Sequence, residues 1–183
     1  SLDALNATLG KSAFFNLRDT AVIEPLDENP SFELTINGIK ATLSANIGDL
    51  NGTGSGFGIN APGAGDDTDN IDGDNGDEIL TIIFDRDITF EFFEVSALGT
   101  DDGGLFELFG QAPMAFLDSG RYNIGGAFLA AGDPVTFSHN TGNGFSLDTF
   151  LVAEVPTSSS IPEPASASLV FLTSAALAMR RRR

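Results

Sequence analysis

Residues 32–45 read FELTINGIKATLSA, and this stretch decides the fold class. Phe32, Leu34 and Ile36 alternate with Glu33 and Thr35. After Asn37-Gly38, the set Ile39, Ala41 and Leu43 alternates with Lys40, Thr42 and Ser44. A period of two puts each apolar set on one face of an extended strand. Asn-Gly suits a two-residue type I′ turn, because both positions take positive φ. That turn pairs Ile36 with Ile39, Leu34 with Ala41 and Phe32 with Leu43, so turn chemistry and hydrophobic period specify the same hairpin.

The same signals recur outward from it. LNGTGSGFGINAPGAG (50–65) holds too much Gly for a regular helix and reads as a loop with a short extended piece. DDTDNIDGDNGDE (66–78) carries seven acids in thirteen residues. ILTIIF (79–84) and ITFEFFEV (88–95) flank Asp85-Arg86-Asp87, are rich in β-branched and aromatic residues, and read as a second antiparallel pair. In the latter the apolar phase runs Ile88, Phe90, Phe92 and then shifts to Phe93 and Val95, which predicts a bulge or burial on both faces. Shorter strand candidates follow at 105–109, 114–117, 121–124 and 127–130, then PVTFSH (134–139) and FSLDTFLVAEV (145–155). No useful helical period precedes residue 165. The expectation is an all-β domain over 1–155, a two-sheet antiparallel β-sandwich of jelly-roll-like kind. PTSSSIPEP (156–164) reads as an extended linker, and 165–183 as a short C-terminal hydrophobic helix with an arginine cluster.

Composition bounds the function. The chain has 183 residues, enough for one domain with appendages, and its 42% hydrophobic content with 16 Phe argues against disorder over most of its length. The formal net charge of −17 makes nucleic-acid binding a poor expectation, because phosphate contacts need clustered Lys and Arg. Four of the nine basic residues are Arg180, Arg181, Arg182 and Arg183. That leaves Lys11, Arg18, Lys40, Arg86 and Arg121 to face all 26 acids. Such a surface repels anionic membranes and attracts divalent cations. With no Cys, disulfides and thiolate metal sites are excluded.

Ala165 to Met179 is fifteen residues without a charge. As a helix it rises about 22 Å at roughly 1.5 Å per residue. A bilayer core is about 30 Å thick, so the run is short for a permanent span even if the arginines snorkel. Arg180 to Arg183 directly after it keep to the cytoplasmic side and place the acidic body on the far side. That orientation requires export, so a removed signal peptide is expected to explain why the sequence starts at Ser1 without a charged-then-apolar leader. The plain alternative is a terminal helix packed on the domain. A run that is apolar all round, beside a basic cluster, suits lipid better than one packed face does.

Pro162-Glu163-Pro164, an apolar run of about fifteen residues and a final arginine cluster together resemble the PEP-CTERM sorting signal of Gram-negative bacteria. The likeness covers only the last twenty-odd residues. It implies recognition by an exosortase, a membrane cysteine transpeptidase, with cleavage near Pro-Glu-Pro. It also implies that residues 165–179 are a temporary membrane anchor before processing, with the body periplasmic. The mature protein is then expected at the cell surface or in the extracellular polysaccharide matrix. More loosely, Ile71-Asp72 through Glu78-Ile79-Leu80 and the final strand into Val155-Pro156 resemble the Gly- and Asp-rich β-sandwich often found ahead of this signal. That likeness implies no activity.

Two readings of the acidic segment stand side by side. Ca²⁺ takes six to eight hard oxygens from flexible loops, and Asp72, Asp74, Asp77 and Glu78, close to the strand at 79, are the candidate ligands. The register is not that of an EF-hand: with Asn70, Asp72 and Asp74 as the first three ligands, Asn75 falls where Gly belongs and Thr81 where the bidentate Glu belongs. GDNGDEI (73–79) resembles a single copy of a Ca²⁺-binding nonapeptide, a repeat that works stacked. The other reading is a solvated acidic loop.

Catalysis is not expected. His139 is the one histidine, and Ser146 and Asp148 are near it only in sequence. A glycosidase needs a carboxylate pair and a cleft, and the chain has no Trp and a single Tyr (Tyr122) to line one. No phosphate-cradling motif is present. The Phe residues read as core. The sequence therefore predicts an exported, non-enzymatic matrix or biofilm-associated surface protein, with Ca²⁺ as its one candidate cofactor. A carbohydrate-binding module acting on matrix polysaccharide is the alternative, weakened by the scarcity of Trp and Tyr.

Overall fold

The computed structural model describes residues 11–23, 28–54, 56–63 and 69–156. Regular structure there is nearly all β, apart from a four-residue helix, α1 (Thr20–Ile23). One antiparallel sheet has four strands: β1 (Ser12–Asn16), β12 (Ser146–Glu154), β7 (Ile88–Ser96) and β10 (Gly120–Leu129), in that order. The other has six: β2 (Ser31–Ile36), β3 (Ile39–Ala45), β6 (Ile79–Phe84), β11 (Pro134–Thr141), β8 (Gly103–Leu108) and β9 (Met114–Phe116). A small ribbon joins β4 (Asp49–Gly52) to β5 (Phe57–Asn60).

The 32–45 hairpin forms as its sequence dictates. Ile36 faces Ile39, Leu34 faces Ala41 and Phe32 faces Leu43. Asn37 and Gly38 carry φ of 51° and 82°, the left-handed pair that a type I′ turn needs. Glu33 and Thr35 stay exposed while Phe32, Leu34, Ile39, Ala41 and Leu43 are buried.

The expected pairing of 79–84 with 88–95 does not occur. β6 pairs with β3 and β11, and β7 pairs with β12 and β10, in the opposite sheet. Both edges of each strand are thus already filled. Phe84 and Ile88, on either side of the connector, are both buried, so Asp85-Arg86-Asp87 carries the chain across the core from one sheet to the other. Backbone bonds extend the two ladders into the corner: Asp85 N–H donates to the Lys40 carbonyl and Val155 N–H to the Asp87 carbonyl, each at 3.1 Å. Arg86 donates to Asp85 and to Glu154 and pins the corner to the last strand.

The phase shift in 88–95 is a bulge. Leu151 faces Phe92 and Val152 faces Phe90, leaving Glu91 out of register, so Phe92 turns outward and Phe93 inward. The candidates 121–124 and 127–130 are one strand, β10, interrupted at Gly125-Gly126 (φ 76° and 75°), where the partner shifts from Phe92 to Phe90. Only glycine adopts two successive positive φ values there at little cost.

The two sheets face each other across a phenylalanine core, a β-sandwich-like arrangement. Phe150 stacks on Phe15 at 4.6 Å and meets Phe84 of the opposite sheet edge-on at 6.1 Å. Phe93 meets Phe106 at 4.7 Å, Phe137 at 5.1 Å and Phe116 at 5.5 Å, all from the six-stranded sheet. Each such ring gives about 1.5–3 kcal/mol by burial, and each pair about 0.5–1.5 kcal/mol more. The linker from Thr157 onward and the expected helix at 165–179 lie outside the described residues.

Candidate functional site

The acidic segment folds back on itself at the end of the sandwich. Ile71 bridges Phe145, and Ile59 N–H donates to the Asn70 carbonyl at 2.9 Å, which anchors the segment to the β12 approach and to β5. Asp72 N–H donates to Glu78 Oε2 at 2.8 Å, and Glu78 N–H returns to the Asp72 carbonyl at 3.1 Å. Asp72 Oδ1 accepts from Asp74 N–H at 2.9 Å, the side-chain turn typical of Asp before a tight bend. Asn70, Asp72 and Glu78 are buried polar residues.

The four predicted ligands therefore divide. Asp72 and Glu78 are brought together and buried, whereas Asp74 and Asp77 are exposed. The Asp77 carbonyl accepts from Asn46 Nδ2 at 2.9 Å, which fixes the backbone of Asp77. Among the described residues no three His, Asp or Glu side chains stand close enough to hold a metal ion. Asp66 and Asp67 lie outside the described residues.

His139, Ser146 and Asp148 each have different partners. His139 Nε2 donates to the Gly142 carbonyl at 3.0 Å, while its ring packs over Gly73, where a Cβ would meet Nδ1 at 2.6 Å. Ser146 Oγ donates to Asn70 Oδ1 at 2.7 Å and to the Asp69 carbonyl. Asp148 Oδ1 accepts from Ser96 Oγ at 2.7 Å, and Oδ2 pairs with Arg18 at 3.5 Å. Burial pushes the Asp148 carboxyl above the usual range, against the Ser96 hydroxyl and the Arg18 charge, with the nearby Glu94 charge adding to the rise.

The outer faces of the two sheets differ. The six-stranded sheet turns Glu33, Thr35, Lys40, Thr42, Ser44 and Thr136 outward, with Ile83 exposed between Thr42 and Pro134, a mostly polar face without an exposed ring along these rows. The four-stranded sheet turns out an aromatic and apolar row: Phe14 faces Leu151, which faces Phe92, which faces Asn123. Phe14 is 47% exposed and Phe128, opposite Thr89, is 57% exposed. The Phe14 and Phe92 rings lie 6.3 Å apart, and the Arg121 guanidinium sits 4.0 Å above the Phe92 ring. Arg121 also pairs with Glu94 at 2.8 Å, and Thr149 Oγ1 donates to the same carboxylate at 2.9 Å.

Neither a family model nor a curated protein matches this chain.

Pro162, Glu163, Pro164 and Arg180 to Arg183 lie outside the described residues, as does the apolar run between them. Among the described residues no helix is long and apolar enough to cross a membrane. A shallow cleft of about 230 Å³ opens where β9 and β10 end the two sheets, lined by Phe106, Leu108, Gln111, Met114, Asn123 and Ile124 among others. It offers two amides and no ionisable group. The expectation that the Phe residues are core fails at Phe14 and Phe128, which lie exposed on the four-stranded sheet. The signal was present in the doublets Phe14-Phe15 and Phe92-Phe93, because neighbours on a strand point to opposite faces.

Proposed function

We propose that this chain is an exported, non-enzymatic protein of the cell surface or extracellular polysaccharide matrix, delivered by a PEP-CTERM-type signal. The observation that carries the reading is the order Pro162-Glu163-Pro164, uncharged 165–179, Arg180 to Arg183, placed just after the last strand at Glu154. An exosortase-type transpeptidase is the processing partner, and residues 165–179 hold the chain in the membrane until cleavage. The body is a β-sandwich of jelly-roll type. The order β1-β12-β7-β10 facing β6-β11-β8-β9, with the β2–β3 hairpin added at one edge, supports that topology. Asp72 and Glu78 form the heart of a Ca²⁺-responsive turn, supported by their burial side by side, with Asp74 and Asp77 as outer acids.

Intact-mass measurement of the protein recovered from its native host tests the sorting reading. A product ending near Pro164 without the arginines is expected. A full-length membrane-bound species would make the tail a plain anchor and defeat the proposal.

A second reading, a carbohydrate-binding module, is favoured by the exposed aromatic row on the four-stranded sheet. Fold alone hosts many functions, so the weight falls on that face.

A further inference from the structure

We propose that the outer face of the four-stranded sheet is a binding platform for an extended, uncharged polysaccharide chain. The inference rests on the carbohydrate-binding reading and names its site.

The face is set apart from its surroundings by charge. Glu94 is paired with Arg121 and the buried Asp148 with Arg18, while Glu91, which accepts from Thr89 on the same face, has no salt-bridge partner among the described residues. The face is thus less acidic than the body as a whole, with Glu91 as its uncompensated acid. An anionic polymer reaching it is repelled by Glu91 and by the rest of the body. An uncharged polymer meets no such barrier.

The surface chemistry fits a sugar. The axial C–H groups of a pyranose pack on aromatic faces, and its hydroxyls seek planar donors and acceptors beside them. Phe14 and Phe128 supply exposed rings, while Arg121, Asn123 and Asn16 supply exposed polar groups of the same face. The guanidinium is fixed over Phe92 by the ring and by Glu94, which takes its Nε and Nη2 and leaves Nη1 as the remaining donor. β1 and β10 are the outermost strands of the sheet, which puts Phe14 and Phe128 roughly 14 Å apart across it at about 4.8 Å per strand. That spacing suits several linked residues and is too wide for a monosaccharide.

Affinity electrophoresis of the full chain tests the proposal, in gels containing hydroxyethyl cellulose, galactomannan or dextran, with alginate as the anionic comparison. Retardation is expected in at least one neutral gel, with no greater retardation in alginate. The Phe14→Ala/Phe128→Ala double variant is expected to bind at least tenfold more weakly while keeping its melting transition. Should that variant lose its transition, Arg121→Ala carries the test and is expected to weaken retardation severalfold. Binding by the parent protein that survives these substitutions overturns the face assignment and leaves the carbohydrate reading standing. Absence of retardation in every gel overturns both. Preference for alginate overturns the neutral ligand class. Self-association in sedimentation that Phe14→Ala/Phe128→Ala abolishes shows a second copy on the face and overturns the proposal as well.

Discussion

Asp72 and Glu78 clasp one another across the acidic turn, the amide of each bonded to an oxygen of the other at 2.8 and 3.1 Å. Both carboxylates are buried inside a protein rich in negative charge. On the Ca²⁺ reading proposed above, a cation bound at this turn offsets the repulsion between the two carboxylates. Millimolar Ca²⁺ is expected to raise the melting temperature by several degrees, and chelator to reverse it. At a hundredfold excess over Kd the gain is about 2.7 kcal/mol. Glu78→Gln is expected to abolish the response, and an unchanged transition in the parent protein sinks the Ca²⁺ reading.

Gly58→Ala is expected to destabilise the fold by about 3 kcal/mol, at the upper end of overpacking costs. Its φ is ordinary, so the effect is steric: a Cβ there would collide with the backbone N and O of Asn70. Gly54→Ala, with nothing within 4 Å of its added Cβ, is the control. Urea unfolding should leave that control within about 0.5 kcal/mol of the parent. Equal losses at both positions would show that close approach at Gly58 is not the cause.

Phe150→Ala is expected to lower stability by about 3–5 kcal/mol, because it opens a cavity where Phe15, Phe84 and Phe90 converge. Phe109→Ala removes the same side chain from a position 61% exposed and should change little. Denaturant midpoints for the pair give the contrast.

Asp148 and Asp85 respond to pH with opposite sign. Burial raises the Asp148 carboxyl above its ordinary value of 3.8, so between that value and the folded pKa the fold holds a proton there that the unfolded chain releases. Its contribution is fully present below pH 3.8 and is lost as pH rises through the folded pKa. Asp85 is lowered from 3.8, chiefly by the hydrogen bond from Arg86. Its contribution is present above pH 3.8 and is lost as pH falls through its folded pKa. Asp148→Asn should remove the decline above 3.8, and Asp85→Asn the decline below it. Urea midpoints measured across roughly pH 2 to 7 read both.

Local signals carried much of this fold. The Asn37-Gly38 hairpin and the Glu91 bulge were legible because turn chemistry and side-chain period act over a few residues. The corner at Asp85-Arg86-Asp87 was not. A short polar connector between two apolar strands reads the same whether they pair or part. What decides is which other strands claim their edges, and β10, β11 and β12 come 25 or more residues later. The acidic turn was legible as a location, while the separation of buried Asp72 and Glu78 from exposed Asp74 and Asp77 depends on the 142–145 loop and β5 packed against it. The aromatic face needed strand order, since only the sheet brings Phe14 beside Phe92.

β12 is held on both edges up to its end. Glu154 N–H donates to the Lys11 carbonyl at 2.6 Å, and Val155 N–H donates to the Asp87 carbonyl at 3.1 Å. A pull on Pro156 along the strand axis must slide β12 past β1 and β7 together, rupturing two ladders of bonds at once instead of peeling one bond at a time. Any tether joined to the chain after Pro156 therefore loads the sandwich in shear through an interior strand.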